Sequence, residues 1–165
     1  MESRAKILGH PVHQMLIPLP VGLFVVAALL DIVGAFVEAK WIPIVSYWNI
    51  AFGIISALVA AVFGAADWTK IPRGTRAKRI GTLHGVGNVI GVLLFGGALW
   101  LRSSDPLHRS DAASLTLEVL AFALMSVTAW LGGELVDRLG IGVTDGANAN
   151  APSSLHTKRV PSMRS

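Results

Sequence analysis

Three histidines and two carboxylates lie at corresponding ends of four long apolar segments. His10 and His13 open the first segment and His84 opens the third, whereas Asp67 closes the second and Glu134 closes the fourth. If all four segments cross a membrane, these side chains gather at one membrane face. Placing ionisable groups at the edge of a membrane costs free energy unless they are paired or serve a function. This group of residues is therefore the first candidate for chemistry.

Several kinds of chemistry fit these residue types. Neutral imidazoles and carboxylates bind divalent metals, which predicts a metal site. Two facing imidazoles could instead hold b-type haem, with His84 and His13 (or His10) as axial ligands. A proton relay is a third use, because histidine titrates near neutral pH. The candidate metal ligands are His10, His13, Asp67, His84 and Glu134, and the candidate cofactor contacts are His13, His84 and Asn88.

A purely structural interpretation of the same residues stays open. Histidines and acids at helix ends are often solvated or capping groups, and Asp67 and Glu134 could pair with loop arginines. His84 is the strongest candidate for ligand binding, since glycines and Asn88 surround it in the sequence.

A second polar group lies toward the opposite ends of the segments. Asp31, Asn49 and Glu118 would fall in the outer half of the membrane. They could line a polar passage or join helices by hydrogen bonds. Helix packing is the favoured interpretation, because interhelical polar pairs are common in membrane proteins.

The composition explains what positions these residues. The 165-residue chain is 53% hydrophobic and 15% charged, whereas a soluble domain carries roughly 25% charge. Its apolar residues form four blocks of 22 to 24 residues, and a helix needs roughly 20 to cross the hydrocarbon. We therefore predict an all-α integral membrane four-helix bundle of two antiparallel helix hairpins, in contact with the lipid bilayer. The predicted spans are 15–37, 43–66, 80–101 and 112–133.

The basic residues predict the orientation. Eleven Lys and Arg residues flank one side of the spans and three flank the other, and cytoplasmic loops carry the excess. Both termini should therefore be cytoplasmic, in a bacterial inner membrane. Because the basic residues sit beside membrane spans, we do not expect nucleic acid as a partner. Residues 144–165 are rich in Gly, Asn, Ala, Ser and Pro and predict a disordered cytoplasmic tail.

Some chemistries are excluded. The chain has no cysteine, which excludes disulfides, thiolate metal sites, cysteine-ligated iron–sulfur clusters and covalent c-type haem. Nothing matches a phosphate-binding loop, a nucleophile elbow or a zinc-protease motif, so no catalytic residue is predicted and an enzyme is not the favoured class.

Each predicted hairpin begins near a histidine and ends in two small residues and an acid. These endings are Ala65-Ala66-Asp67 and Gly132-Gly133-Glu134. The pattern predicts two parallel hairpins around an axis normal to the membrane.

The opening run Gly9-His10-Pro11-Val12-His13, continued by Leu16-Ile17-Pro18-Leu19-Pro20-Val21-Gly22, resembles the bacterial membrane family called domain of unknown function 2231. Further similarities are Asp31, Gly64-Ala65-Ala66-Asp67, Leu83-His84-Gly85 with Asn88, and Trp130-Leu131-Gly132-Gly133-Glu134-Leu135. The resemblance covers roughly residues 7 to 143 and implies a small four-helix membrane protein with no settled activity. Some members are joined to Rieske-type iron–sulfur domains, which implies electron transfer, although this sequence does not include that domain.

Three hypotheses follow. The leading one is a membrane protein that binds b-type haem or a divalent metal for electron transfer, with a redox protein or a membrane subunit as its partner. The second is a structural or assembly subunit without a cofactor. The third is a small transporter or proton conductor that uses Asp31 and Asn49.

Overall fold

The computed structural model describes residues 1–156, and residues 157–165 of the predicted tail lie outside the described residues. Within this part the chain is all-α, as predicted, with strand confined to the two-residue pair β1 (Lys6–Ile7) and β2 (His10–Pro11). The helices are α1 (Val12–Leu16), α2 (Pro18–Gly34), α3 (Trp41–Lys70), α4 (Arg76–Arg102) and α5 (Ala112–Gly133), the last continued by a π-helical turn, Glu134–Arg138.

Four helical stretches are long and apolar enough to cross a membrane, which confirms the predicted architecture. The first stretch joins α1 and α2 through Ile17. Pro18 and Pro20 supply no backbone N–H, so the hydrogen-bond ladder is interrupted where α2 begins. The stretches are Val12–Gly34, Trp41–Lys70, Arg76–Arg102 and Ala112–Arg138.

Short polar caps fix where the later helices begin. The Thr75 hydroxyl accepts a hydrogen bond from the Lys78 amide at 3.1 Å and starts α4. Asp111 and Ser114 form a reciprocal capping box that starts α5. The hydrogen bonds from the Ser114 amide and hydroxyl hold the pKa of Asp111 below its usual range. Thr75 and Asp111 themselves lie just outside the membrane-spanning stretches.

The helices form two antiparallel hairpins, with α2 against α3 and α4 against α5. Contacts of α3 with α4 and of α2 with α5 close the bundle, so α2 and α4 lie on a diagonal. Phe24 and Phe95 meet at the centre of that diagonal, where their rings stack with centroids 4.1 Å apart. Around them the core contains Ala27, Ile50 and Ala121.

The outer surface of the bundle is apolar. Large side chains such as Leu29, Phe52, Leu93 and Leu120 point away from the core and are more than half exposed. A continuous apolar surface of this kind would be unfavourable in water but matches the hydrocarbon of a bilayer.

The two chain ends meet beside the bundle. The Met1 ammonium donates to the Gly140 carbonyl at 2.9 Å, and the Gly142 amide donates to the Met1 carbonyl at 2.8 Å. The Asp145 amide donates to Glu2, so the first residues of the predicted tail lie along the N-terminal segment.

Candidate functional site

His13 lies on α1 against the C-terminal half of α3. Its Nδ1 is 2.9 Å from the Ala60 carbonyl oxygen. Gly64, one turn further along α3, lies directly against the imidazole, because a Cβ at that position would be 2.7 Å from His13 Cε1. The absence of a side chain at Gly64 therefore makes room for the ring.

His84 has the same surroundings in the second hairpin. Its Nδ1 is 2.8 Å from the Thr128 carbonyl oxygen, and a Cβ on Gly132 would be 3.2 Å from His84 Cε1. Thr128 and Gly132 are four residues apart on α5, as Ala60 and Gly64 are on α3. We call this end of the bundle the histidine end.

The carbonyl contacts determine which nitrogen carries the proton in each neutral ring. A nitrogen hydrogen-bonded to a carbonyl oxygen must carry the proton, so Nδ1 is the donor and Nε2 keeps its lone pair. In His84, Nε2 lies 3.1 Å from Asn88 Nδ2 and can accept its hydrogen bond. In His13, Nε2 has no hydrogen-bond partner among residues 1–156.

Asn88 is held in place by a third side chain. The Thr128 hydroxyl donates to Asn88 Oδ1 at 2.7 Å. Thr128 therefore contacts the site twice, through its carbonyl to His84 and through its hydroxyl to Asn88. Thr128 is not recognisable from the sequence, since one threonine in an apolar helix carries no distinctive signal.

The two predicted carboxylate ligands have other partners. Asp67 is buried and accepts hydrogen bonds from the Ser3 hydroxyl at 2.7 and 2.8 Å and from the Arg4 amide. Glu134 forms an ion pair with Arg76. The structural alternative expected both acids to pair with loop arginines. Glu134 does so, whereas Asp67 is bound by a hydroxyl and a backbone amide of the N-terminal segment.

His10 lies apart from the two helical histidines. It is exposed on β2, with its Nε2 3.4 Å from the Ser154 hydroxyl. In the described chain, no three histidine or acidic side chains are grouped closely enough to hold a metal ion. The structure thus relates His13 to His84 by equivalent contacts and gives Asp67, Glu134 and His10 separate surroundings.

The internal repeat has a different register from the one predicted from the acidic endings. Residues 71 apart are equivalent in the first helix of each hairpin (His13 and His84, Phe24 and Phe95), and residues 68 apart are equivalent in the second (Gly64 and Gly132). Asp67 then corresponds to Leu135 and not to Glu134. The glycine under each imidazole sets the register, because the close packing occurs there.

A buried ion cluster occupies the opposite end of the bundle, which we call the arginine end. Arg102 Nη1 lies 2.7 Å from Asp31 Oδ2 and 2.9 Å from Glu118 Oε1, and Nη2 lies 3.1 Å from Asp31 Oδ1. Arg102 is 1% exposed and Glu118 is 0% exposed. The Pro43 and His108 carbonyls and the Ser46 hydroxyl also accept hydrogen bonds from Arg102, and Ser46 donates to Asp31.

The ion cluster differs from the sequence prediction at two residues. The predicted third span ends at residue 101, but Arg102 is the last residue of α4 and is buried between Asp31 and Glu118. Asn49 was grouped with those two acids, yet its amide donates to the Val45 carbonyl of its own helix at 2.8 Å. The repeat could have identified Arg102, which is 71 residues after Asp31 and carries the opposite charge.

Comparison with protein families matches residues 9–145, most of the chain, to a model described as a predicted membrane protein, DUF2231. The chain belongs to this family. The DUF2231 match includes both histidines of the histidine end and the whole ion cluster of the arginine end, and it excludes Ser3 and Arg4. Comparison with the curated proteins and with the solved structures found no match. This DUF2231 membrane protein has four helical stretches long and apolar enough to span a membrane, with a group of polar residues at each end of the bundle.

Proposed function

We propose that this protein is an electron-transfer protein of the bacterial inner membrane that binds b-type haem between His13 and His84. One observation carries the proposal, namely that both imidazoles occupy equivalent positions with Nδ1 bonded to a backbone carbonyl. In the proposed orientation the histidine end faces the cytoplasm, both termini are cytoplasmic, and a redox protein or membrane subunit exchanges electrons there.

The chemistry of the donor set fits a haem iron. Metal-ligating histidines donate the N–H of their second ring nitrogen to a carbonyl or carboxylate, which fixes the tautomer and the ring orientation. His13 and His84 have this arrangement in advance, with Nε2 as the ligand atom. A bound b-type haem supplies one-electron redox chemistry, and the protein supplies the ligands and an apolar surrounding.

One contact must change for His84 to bind iron. Asn88 Nδ2 is hydrogen-bonded to the Nε2 lone pair of His84 and would have to turn away from it. The Asn88 amide could then remain hydrogen-bonded to Thr128.

A divalent metal held by the same histidines with Asp67 and Glu134 is less well supported. To bind a metal, Asp67 would have to leave its hydrogen-bond donor Ser3, and Glu134 would have to leave its ion-pair partner Arg76. Two imidazoles without these carboxylates would be enough to hold a haem iron, whereas a closed metal site takes about four protein ligands.

The hydrogen bonds around Asn88 favour a second candidate function, a structural or assembly subunit without a cofactor. His84, Asn88 and Thr128 already satisfy one another across α4 and α5. In this case the histidines serve helix packing, as interhelical hydrogen bonds do in other membrane proteins.

Spectroscopy of the purified full-length protein separates the two candidates. The protein is expressed with added haem precursor, purified in mild detergent, and examined by oxidised and reduced visible spectra with quantification of haem and metals. We expect a low-spin haem spectrum at about one haem per chain. A purified protein that contains neither haem nor a stoichiometric metal would refute the proposed function.

Matched variants test the ligands. His13→Ala and His84→Ala should each abolish the low-spin spectrum, whereas His108→Ala removes an imidazole at the arginine end and should leave it unchanged. Asn88→Ala removes the group that competes for His84 Nε2, so haem occupancy should be retained or increased. Haem retained at full occupancy in His84→Ala would show that the ligand assignment is wrong.

A further inference from the structure

The ion cluster at the arginine end contains two acids and one base. Three helices each contribute one charged side chain, namely Asp31 of α2, Arg102 of α4 and Glu118 of α5. Each of these side chains is at most 2% exposed. Ser46 of α3 adds a neutral hydroxyl. With both carboxyls ionised, the cluster would carry one uncompensated negative charge inside the membrane-spanning part of the protein, which is strongly unfavourable.

The hydrogen bonds show which acid lacks compensation. Both oxygens of Asp31 bind the Arg102 guanidinium, and Ser46 also donates to Asp31. Glu118 uses only Oε1 toward Arg102. Glu118 Oε2 is fully buried and has no hydrogen-bond partner among the described residues.

A proton on Glu118 would remove both defects. It would neutralise the excess charge and turn Oε2 from an unpaired acceptor into a hydrogen-bond donor. The Asp31 carboxyl group binds the same Arg102 nitrogen as Glu118, at 2.7 and 2.9 Å respectively, and is the neighbouring acceptor for this proton. A buried unpaired polar group otherwise loses its hydration without compensation.

One side of the cluster adjoins a cavity. A cavity of about 570 Å³ opens at this end of the bundle and is lined by Asp31. The charged groups on its walls are Glu38, Lys40, Arg109 and Asp111. Asp31 therefore lies between this cavity and Glu118.

On the other side the cluster is closed by apolar packing. Ala27 and Ala98 are completely buried next to it along the helices, followed by the stacked rings of Phe24 and Phe95. These residues separate the ion cluster from the histidine end. The arrangement suits a proton-binding site open to one side more than a continuous proton passage.

We propose that Glu118 is a reversible proton-binding site, which exchanges its proton through Asp31 and the adjacent cavity and has Arg102 as its fixed counter-ion. In the reaction, a proton from water adds to the carboxylate to give a carboxylic acid, and the reverse step returns it to the cavity. This site is independent of haem binding at the histidine end, so either proposal can fail without the other.

Infrared spectroscopy of the full-length protein tests this site directly. The chain has only four glutamates, Glu2, Glu38, Glu118 and Glu134. The protein is made by cell-free synthesis with ¹³C-labelled glutamate and placed in lipid nanodiscs, and spectra are recorded from about pH 5 to pH 9, above the ordinary glutamate pKa of about 4.3. We expect a ¹³C-shifted carboxylic acid C=O band, equivalent to about one group per chain, that disappears reversibly as the pH rises.

Matched variants identify the residue. Glu118→Gln keeps an oxygen for Arg102 and should lose the titrating band, whereas Glu38→Gln at the cavity wall should keep it. Asp31→Asn leaves one carboxylate for one guanidinium, so Glu118 should stay ionised and the band should be missing over the same range. A glutamate signal that does not change with pH in the unmodified sequence, or a titrating band that survives in Glu118→Gln, would overturn the proposal.

Discussion

Arg102 is the residue on which the arginine end depends. It contacts two acids from two other helices and two backbone carbonyls, and it is almost completely buried. Breaking such a buried network by removing one partner leaves charges without compensation, which costs about 3–5 kcal/mol. Arg102 therefore joins α2, α4 and α5 at one end of the bundle.

We expect Arg102→Met to lower the free energy of unfolding by about 3–5 kcal/mol near neutral pH, because Asp31 and Glu118 would face each other without a cation. The loss should shrink as the pH falls, since protonation removes the repelling charges. Unfolding in mixed micelles with increasing dodecyl sulfate, followed by the fluorescence of the five tryptophans, gives the measurement.

Arg109→Met is the matched control. Arg109 is exposed and lies 3.8 Å from Asp105 on the same loop, and exposed pairs contribute roughly 0–1 kcal/mol. Equal losses for Arg102→Met and Arg109→Met would contradict the central position of Arg102.

Residue types and spacing predicted some members of both ends and missed others. His84 and Asn88 were identified because polar residues are rare in apolar segments, and the same rarity identified Asp31 and Glu118. Arg102 was missed because it follows the last apolar residue of its block, where a basic residue ordinarily marks the membrane surface. Its burial depends on the positions of Asp31 and Glu118 on other helices, which the local sequence does not reveal.

At the scale of helices, glycines determine how closely the elements pack. Gly53 lies against Phe24, and Gly91 lies against Met125, where an added Cβ would be 2.7 Å from the neighbouring side chain in each case. Gly87 approaches Thr128 even more closely. Small residues at these positions allow close helix contacts, as is common in membrane bundles.

The same principle applies to the histidine end, where Gly64→Ala should displace the His13 ring from the Ala60 carbonyl. The new Cβ would lie 2.7 Å from Cε1 and 3.0 Å from Nδ1, so we expect a loss of about 1–3 kcal/mol in the free energy of unfolding, as for other overpacked interiors. The measurement is the same micellar unfolding assay.

Gly133→Ala is the control for this substitution, since a Cβ there would meet no atom within 4 Å. Gly132→Ala should fall between the two, because its nearest contact with His84 is 3.2 Å. If Gly64→Ala and Gly133→Ala had the same stability, the close contact between Gly64 and His13 would be disproved.

At the scale of the whole molecule, the two similar hairpins match at the histidine end and differ at the arginine end. His13 and His84 are identical at equivalent positions, and so are Phe24 and Phe95. Closer to the arginine end, Asp31 and Arg102 are also at equivalent positions of the repeat, but they carry opposite charges. A bundle of two identical hairpins would place like charges there, so this difference stabilises the pairing of the two halves within one chain.

The proposed orientation of the molecule predicts which loops are accessible from outside the cell. The turn after α4 and the loop between α3 and α4 lie at opposite ends of the bundle. Because the basic loop should remain cytoplasmic, a cysteine in Ser104→Cys should react with a membrane-impermeant maleimide in spheroplasts, whereas one in Pro72→Cys should react only after the membrane is opened. Both residues are exposed and uncharged, so neither substitution alters the distribution of basic residues.

The unmodified protein is the blank for this labelling, because the sequence contains no cysteine. The expected pattern would direct the cavity beside Asp31 to the outer phase and the two imidazoles to the cytoplasm. The proton site would then equilibrate with the outside, and the redox partner would act from the inside. Labelling of Pro72→Cys but not Ser104→Cys in spheroplasts would reverse the orientation, and the partner of the histidine end would then have to be sought outside the cytoplasm.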